Sequence, residues 1–432
     1  MIASLRALLV AALCMVAVMS PARASADDDQ MISYKVKQGD TLFGLSDRYF
    51  VGRSAAAEVA RLNNISDPNR IGVGKTLRIP SNLLKFDKVI LRVRDLSGPS
   101  VIAGRPASKG AVLSEGDWVE TRANGFITFV SDRGAVVSLP SNTRAQLKRA
   151  KQYRLESTLD VDFHILRGRG EVVAPKLRGQ ERFRVRTPLA VTAVRGTEFR
   201  VAHNEDTQVS VAEVTEGSVA VAAADQTALA QSGYGVPMSD AGVGPAEPLL
   251  PAPQLADPSK IQTDQDIRFG IVPLDGASFY RTQIAADAGF REIVSEDVSS
   301  SADAGFEGLP NGTYFVRSRG VSQTGVEGFS EIYSFKRKRL GASAQAVLSL
   351  LEDGLKFIWL AEGAEGGSFA FQLWDENTPG QPILDEVGIT DGGFVITGLE
   401  PGTYVWRVAA TQVDSEGLLK VWTPEQRLHV TE

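Results

Sequence analysis

The sequence predicts a multidomain, mainly β protein with a small βααβ module, a long strand-rich region and two β-sandwich repeats. The chain has 432 residues, which is more than a single hydrophobic core usually organises. Residues 86–236 alternate polar and apolar positions between glycine-containing turns, a pattern typical of short strands. The last third of the chain repeats itself at a spacing of 90 residues, which indicates two copies of one domain.

Residues 1–26 are predicted to form a cleavable signal peptide. The segment combines Arg6, an apolar run from Ala7 to Met19, and the small residues Ala24-Ser25-Ala26. The apolar run is too short to cross the roughly 30 Å of a bilayer core as a helix. The single cysteine, Cys14, lies inside this run. We therefore expect a secreted chain in a bacterial periplasm, without disulfides and without a membrane span.

Residues 31–81 are predicted to form the βααβ module. Tyr34 and Val36 alternate with lysines in a first strand, and Leu77 and Ile79 alternate in a second strand. Between the strands, Asp40 is placed to cap a helix that begins at Thr41 and is ended by Gly52, and Ser54 is placed to cap a second helix. The expected apolar stripes of the two helices are Leu42, Leu45 and Tyr49, and Ala55, Val59 and Leu62.

Three stretches of this module resemble the LysM domain: YKVKQGDTLFGL from Tyr34, LNNISDP from Leu62 and IGVGKTLRIP from Ile71. The resemblance implies a shallow groove between two loops that binds the N-acetylglucosamine-containing glycan strands of peptidoglycan. The groove residues that it implies are Gly39, Asp40, Thr41, Leu42, Asn64, Ile65, Asp67, Pro68 and Ile71. Main-chain groups suit the amide of an N-acetyl sugar, and aliphatic side chains suit its methyl group. One module is expected to bind weakly, with a free energy on the order of −4 to −6 kcal/mol.

A purely structural interpretation stays open for part of this set. Asp40 can serve only as a helix cap, and Leu42 only as a core residue. Gly44 is an unusual residue inside a helix and is expected to weaken the first helix by up to about 1 kcal/mol relative to alanine.

Residues 86–236 resemble the FecR domain. The resemblance is carried by LSEGDWVET from Leu113, GAVVSLPSNT from Gly134, VRTPLAVTAVRGTEFRV from Val185 and VTEGSV from Val214. It implies a β-rich, solenoid-like domain used for sensing or protein contact, without catalysis. In the protein that names the family this domain follows a membrane helix, and here a predicted cleavable signal takes that place. Signalling across a membrane is therefore not expected.

Residues 140–200 are basic, with 14 Lys or Arg against six Asp or Glu. A candidate surface for an anionic partner consists of Arg144, Lys148, Arg149, Arg182, Arg184 and Arg186. The alternative is that these side chains form the solvated face of strands. Nucleic acid is not an expected partner, because the chain is acidic overall, with a net charge of −6, and is predicted to be exported.

A proline-rich linker is predicted at residues 237–258, followed by sandwich repeats at 259–338 and 341–432. Each repeat carries the pattern Leu-x-x-Gly-Thr-Tyr-x-x-Arg and resembles the fibronectin type III or immunoglobulin-like sandwich. The resemblance implies that Tyr314 and Tyr404 hydrogen-bond the backbone upstream of them. We expect Trp359 and Trp406 in the core and Trp422 at the surface, where stacking on sugars is an open alternative.

No catalytic or metal-binding motif is found in the sequence. His164, His203 and His429 lack the spacing of metal ligands, and no cofactor is expected. We expect a non-catalytic, cell-wall-associated scaffold that binds peptidoglycan glycans and presents its β domains to an envelope protein or other envelope component. Two alternatives stay open: a FecR-like sensor that is localised by its wall contact, and a peptidoglycan hydrolase.

Overall fold

The computed structural model describes residues 30–194, 196–351, 354–363, 367–415 and 417–431, so the predicted signal peptide lies outside the described residues. The chain divides into two compact units. The first comprises the described part of Met1–Phe86 together with Tyr153–Ser157, and the second comprises Asp87–Gln152 and Thr158–Glu432. No helix in the described ranges combines the length and apolar character needed to cross a bilayer.

The first unit has the predicted βααβ order. Its elements are β1 (Met31–Lys35), α1 (Leu42–Tyr49), α2 (Arg53–Leu62) and β2 (Thr76–Pro80), followed by a 3-10 turn at Ser81–Leu83. The two strands pair antiparallel, with Tyr34 opposite Leu77. Alternate side chains of both strands are buried, as the sequence pattern predicts.

The helix ends differ from the prediction. Thr41, not Asp40, caps α1, because its Oγ1 accepts the N–H of Gly44 at 3.0 Å. A Cβ at position 44 would lie 3.2 Å from that oxygen, so the glycine keeps the cap uncrowded. Gly52 does not end α1 but is the N-cap of α2, and Ser54 lies inside α2. Leu62 is exposed rather than part of the buried stripe.

The core of the first unit includes residues from a distant part of the chain. Ile32, Leu45 and Val59 pack in one buried cluster with Tyr153 and Leu155. Tyr153 is the last residue of a strand in the strand-rich region, and Leu155 lies in the short turn that follows this strand. Glu156 of the same turn forms an ion pair with Lys37 at 2.8 Å. Sequence reasoning missed this contribution, since nothing in the local pattern relates residues that lie about 100 positions apart.

The strands of the strand-rich region pair in a closed ring, the barrel. Its strands are β3 (Phe86–Lys88), β4 (Leu91–Ser97), β5 (Ser100–Ile102), β6 (Arg105–Pro106), β7 (Val112–Leu113), β8 (Trp118–Thr121), β9 (Phe126–Ser131), β10 (Val136–Leu139), β11 (Arg144–Tyr153), β12 (Thr158–Val173), β13 (Arg182–Arg186), β14 (Ala190–Val194), β15 (Glu198–Asn204), β16 (Val209–Glu216), β17 (Ser218–Ala223), β18 (Gln226–Gln231), β19 (Tyr234–Ser239), β20 (Gly242–Val243) and β21 (Glu247–Pro248). A second 3-10 turn, Leu155–Ser157, joins β11 to β12. One buried cluster of aliphatic and phenylalanine side chains fills the interior.

The long strand β12 belongs to two sheets. Residues 160–164 pair parallel with β13, and residues 168–173 pair antiparallel with β15. Gly168 lies where the strand passes from one sheet to the other, with φ +83°. A Cβ there would lie 2.5 Å from Thr143 Oγ1, so only glycine fits this crossing.

The prediction of a linker at 237–258 is wrong for much of that segment. Pro237 lies in β19 opposite Val211, and Pro248 lies in β21 opposite Tyr234. Leu249 is buried. Proline lacks an N–H, but it can occupy strand positions whose N–H makes no hydrogen bond to the neighbouring strand. The high proline content of this segment therefore did not prevent it from forming paired strands.

Two β sandwiches follow. The strands of the first are β22 (Leu255–Ala256), β23 (Ile267–Ile271), β24 (Phe279–Ala285), β25 (Ile293–Ser299), β26 (Asp303–Phe306), β27 (Gly312–Val321) and β28 (Glu331–Arg337). Those of the second are β29 (Leu340–Leu348), β30 (Gly354–Gly363), β31 (Ser368–Asp375), β32 (Leu384–Ile389), β33 (Gly393–Thr397), β34 (Gly402–Asp414), β35 (Gly417–Trp422) and β36 (Gln426–Val430). Each sandwich has one sheet of three strands and one larger sheet, ordered β25-β24-β27-β28 in the first and β32-β31-β34-β35 in the second. The predicted multidomain, mainly β architecture is confirmed.

Both repeats contain the tyrosine corner that the sequence implied. Tyr314 Oη donates to the carbonyl oxygen of Pro310 at 3.1 Å, and Tyr404 Oη donates to that of Glu400 at 2.8 Å. Trp359 and Trp406 are buried in the second sandwich, as expected.

Candidate functional site

The first candidate loop runs from Lys37 to Leu42 and is organised by the carboxylate of Asp40. This carboxylate accepts hydrogen bonds from Tyr34 Oη at 2.7 Å, Lys37 N at 2.8 Å and Arg48 Nη2 at 3.0 Å. Burial raises the pKa of Asp40, but these hydrogen bonds and the Arg48 charge outweigh burial and hold its pKa below the ordinary value. Asp40 therefore fixes the shape of the loop, and this use of its oxygens explains why Thr41 caps the helix.

Burial and the hydrogen bond to the Asp40 carboxylate raise the pKa of the Tyr34 phenol. The phenol therefore remains a protonated donor at neutral pH. Gly39 completes the turn with φ +85°, a backbone conformation that glycine adopts without steric cost.

The second candidate loop runs from Asn63 to Ile71 and is attached to both its helix and β2. The side chain of Asn63 donates to the carbonyl oxygens of Val59 and Arg78, both at 2.8 Å, and accepts the Arg78 N–H at 2.7 Å. Asn64 has φ +51°, and Asp67 Oδ1 accepts the N–H of Asn69 at 2.9 Å. Short polar side chains thus hold a loop of irregular backbone in one conformation.

A main-chain hydrogen bond joins the two loops. The N–H of Leu42, at the first position of α1, donates to the carbonyl oxygen of Pro68 at 2.9 Å. The two segments that the sequence singled out, 26 positions apart, therefore lie side by side. Their exposed edges can form the two walls of a shallow groove.

The implied groove residues differ in exposure. Gly39, Asn64 and Asp67 are exposed, whereas Asp40, Thr41, Ile65 and Pro68 are half-buried. Leu42 and Ile71 are buried, so their side chains belong to the core and do not offer a surface to a sugar methyl group. The interpretation of Leu42 as a core residue is the correct one for its side chain, and only its main chain takes part in joining the loops.

Two apolar side chains next to these segments were missed from the sequence. Phe43 is 56% exposed and Val73 is 68% exposed. Phe43 follows Leu42 but lies off the stripe formed by Leu42 and Leu45, and this off-stripe position was a signal available in the sequence. Like Leu62 and Ile65, these side chains are apolar groups near the loops that solvent can reach.

Three residues of the candidate anionic-partner surface form ion pairs within the chain. Arg149 and Arg184 bind Asp160 at 3.0 and 3.3 Å, and Arg186 binds Asp162 at 2.8 Å. Arg149 and Arg184 are also buried. The selection of these two as surface residues was wrong. Arg184 lies on β13, whose parallel pairing with β12 places Asp160 and Asp162 beside it, and Arg149 contacts Asp160 from β11. Arg144 and Lys148 are exposed, and Arg182 is half-buried.

A buried charge cluster joins the barrel to the first sandwich within the second unit. Glu213 of the barrel binds Arg169 at 3.0 Å and Arg200 at 2.9 Å. Glu327 of the sandwich binds Arg169 at 3.0 Å, and Arg200 Nη2 donates to the carbonyl oxygen of Glu327 at 2.6 Å. Removing one partner from this cluster would leave a buried charge without compensation, which is strongly destabilising.

His203 lies beside a serine in the barrel. His203 Nδ1 lies 3.0 Å from Ser210 Oγ, a spacing that a nucleophile and its base also show. Both residues are buried, so a substrate cannot reach them, and the bond is structural. Among the described residues, no group of three or more His, Cys, Asp or Glu side chains is placed to hold a metal ion.

Comparisons with known proteins match two parts of this chain. Residues 34–80 match the family model of the LysM domain, and residues 117–220 match the model described as FecR protein. Both families are binding or regulatory types rather than catalytic ones.

Solved structures show weaker similarity. A candidate anti-sigma factor from Parabacteroides distasonis has 15% identity and a TM-score of 0.26, over 30% of this chain. The chain spans 59% of the length of that protein. Chicken CNTN1 domains FN1–FN3 have 12% identity and a TM-score of 0.24, with 56% of this chain and 95% of that chain covered. A two-domain fibronectin type III segment of chicken tenascin has 10% identity and a TM-score of 0.22, with 42% and 99% covered.

These TM-scores are too low to support a conclusion about the fold of this chain. The assignment of the two sandwiches rests on the pairing of their strands. The two family resemblances drawn from the sequence are confirmed: the chain carries a LysM domain at residues 34–80 and a FecR region within residues 117–220.

Proposed function

We propose that this protein is a non-catalytic, cell-wall-associated scaffold of the bacterial periplasm. Its LysM domain binds N-acetylglucosamine-containing glycan strands along the joined loops at residues 39–41 and 64–68. The observation that carries the proposal is the hydrogen bond from Leu42 N to Pro68 O, which holds the two loops next to each other. Exposed loop backbone offers donors and acceptors to N-acetyl groups, and Phe43, Ile65 and Val73 offer apolar contact.

Weak binding is sufficient for this role. A free energy on the order of −4 to −6 kcal/mol corresponds to dissociation constants from millimolar to tens of micromolar. A polymeric wall repeats the ligand many times, so rebinding raises the apparent affinity of one module. The barrel and the sandwiches then present their surfaces to an envelope partner.

Cosedimentation with purified peptidoglycan sacculi tests the proposal. The mature chain is expected to pellet with sacculi, and a Gly39→Val variant is expected to lose most of this binding. The matched control is Gly110→Val, because Gly110 also has a positive φ and open surroundings but lies in the barrel. Equal loss in both variants, or no pelleting of the unmodified chain, contradicts the proposal.

A second candidate function is favoured by the FecR match over residues 117–220: a sensor or regulator that the wall contact localises. Copurification with a membrane receptor or a sigma-regulating protein supports this function over a passive scaffold. Release of soluble fragments from labelled sacculi by the purified chain contradicts both and supports a hydrolase.

A further inference from the structure

The two sandwich repeats hold an arginine in the same way on the same sheet. In the first repeat, Arg317 donates to Gln283 Oε1 from Nε at 2.9 Å and from Nη2 at 2.7 Å. In the second repeat, Arg407 donates to Gln372 Oε1 from Nε at 3.1 Å and from Nη2 at 2.9 Å. Each pair lies directly cross-strand, in β24 and β27 or in β31 and β34. The two arginines therefore occupy equivalent positions, and in each case the glutamine fixes the orientation of the guanidinium group.

In the first repeat this arginine is an interdomain contact. Arg317 Nη2 binds both carboxylate oxygens of Glu171 in the barrel at 3.1 Å, and its guanidinium lies 4.2 Å from the centre of the Phe290 ring. Phe315 and Ala285, on the same sheet face, pack with Phe126 of the barrel. The face around Arg317 thus docks on a β surface that presents a carboxylate, and the Arg317 side chain is left only 10% exposed.

In the second repeat the equivalent sheet face, around Arg407, is more exposed to solvent. Arg407 lies 5.4 Å from the ring centre of Trp374 and 4.4 Å from that of Trp422. Its side chain is 31% exposed, and its carboxylate contact is Glu425 at 3.4 Å, whose own side chain is 56% exposed. An ion pair this exposed contributes little and can be exchanged for another carboxylate.

Apolar and cationic side chains lie on the same face of the sheet as Arg407. Lys420 lies 4.4 Å from the ring centre of Trp422. Val387, Val413 and Leu418 project from the neighbouring strands β32, β34 and β35, at 69%, 77% and 66% exposure. Aromatic side chains and an arginine within a partly apolar surface are the composition of protein–protein contact centres.

We propose that the β32-β31-β34-β35 face of the second sandwich is a docking surface for another protein, which presents a carboxylate to Arg407 between Trp374 and Trp422. The first repeat supplies the physical template, because the same arginine–glutamine pair there binds a carboxylate on a β surface. A second copy of this chain fits this surface less well than a different protein. Its corresponding carboxylate, Glu171, is already bound to Arg317, and face-to-face pairing would bring Arg407 and Lys420 of two copies together.

Site-specific photo-crosslinking of the full chain, in the organism that produces it, tests the proposal. A photoreactive residue replaces Val387 or Leu418, with Leu360 on the opposite sheet as the positional control. A partner adduct is expected at 387 and 418 but not at 360. Arg407→Glu is expected to lower its yield about ten-fold or more, while Arg407→Lys retains part of it and Lys356→Glu, on the opposite sheet, leaves it unchanged.

Sequencing of the adduct by mass spectrometry completes the test. The cross-linked partner segment is expected to contain Asp or Glu, and replacing that residue by Arg is expected to restore the adduct with Arg407→Glu. Thermal unfolding identifies any variant that has lost its fold, and Lys420→Glu then serves as the second charge reversal. An adduct that is insensitive to these charges, an adduct formed with a second copy of this chain, or no adduct above the level at 360 overturns the proposal.

Discussion

The main-chain N–H of Leu42 donates a 2.9 Å hydrogen bond to the carbonyl oxygen of Pro68. This bond fixes the spacing between two loops that are separate in sequence. It involves no side-chain polar group, so only a change to the backbone removes it.

Leu42→Pro is expected to weaken glycan binding more than Leu42→Ala does. Both variants lose the buried leucine side chain, but only proline removes the N–H. Proline is otherwise tolerated at the first helical position, and Thr41 before it is already extended, with φ −122° and ψ 156°. Binding to the proline variant must also restore the loop spacing that this bond of about 1 kcal/mol maintained, so the affinity for a chitooligosaccharide is expected to fall by up to roughly five-fold. NMR titration at a temperature where both variants are folded measures the difference. Equal affinities would show that the bond does not shape the groove.

Asp40→Ala is expected to destabilise the LysM domain by about 2 kcal/mol, because three donors lose their acceptor, a carboxylate whose side chain is 8% exposed. The comparison is Glu58→Ala, which removes an exposed carboxylate that also binds an arginine, Arg61. Chemical denaturation followed by LysM-specific NMR signals is expected to show no measurable change for the Glu58 variant. Similar losses of unfolding free energy in the two variants would contradict the prediction that Asp40 organises the loop.

Leu155→Ala is expected to destabilise the LysM domain although residue 155 lies outside the matched segment. Its side chain is 1% exposed in the core cluster that contains Ile32 and Leu45. Truncating a buried leucine costs about 2–5 kcal/mol. Val73→Ala, at a 68% exposed position, is the control and is expected to leave the melting temperature unchanged. An unaffected LysM melting transition in the Leu155 variant would contradict the assignment of Leu155 to this core.

Acid is expected to loosen the contact between the barrel and the first sandwich through Glu171. Burial raises the pKa of this carboxyl, but the charges of Arg317 and Arg319 outweigh burial and hold the pKa well below its ordinary value of 4.5. A depressed folded-state pKa means that the stabilisation is complete above pH 4.5 and is lost as the pH falls through the folded-state value. The denaturant concentration at the unfolding midpoint of the second unit is therefore expected to decrease as the pH is lowered below 4.5. In Glu171→Gln this decrease is expected to be smaller. An identical pH profile in the variant would exclude Glu171 as the responsible group.

The two tyrosine corners offer a paired stability test. Tyr404 Oη donates at 2.8 Å in a partly buried setting, whereas Tyr314 Oη donates at 3.1 Å in an exposed one. Tyr404→Phe is expected to cost about 1 kcal/mol of unfolding free energy, and Tyr314→Phe less, because water can replace the exposed bond. Thermal unfolding of both variants measures the difference. A larger loss for Tyr314→Phe would contradict this order.

Much of the fold was predictable because it is set by local pattern. Strand alternation around Tyr34 and Leu77 predicted the two LysM strands, and the 90-residue repeat predicted two β domains. Helix ends were less predictable. Asp40 and Thr41 are both good caps, and only the contacts of Asp40 with Tyr34 and Arg48 decide which one serves.

The sequence by itself determined the domain types, the two candidate loops and the core positions of Trp359 and Trp406, since these depend on periodicity and on motifs within short segments. Only the tertiary structure decided which charged side chains are paired and how far each is exposed to water. It paired Arg184 with Asp160 and Arg317 with Glu171, packed Leu155 into the core of the LysM domain, and left the Arg407 side chain 31% exposed beside Glu425. The physical reason is that the free energy of a charge depends on its neighbours and on its access to water, and strand pairing brings those neighbours from anywhere in the chain.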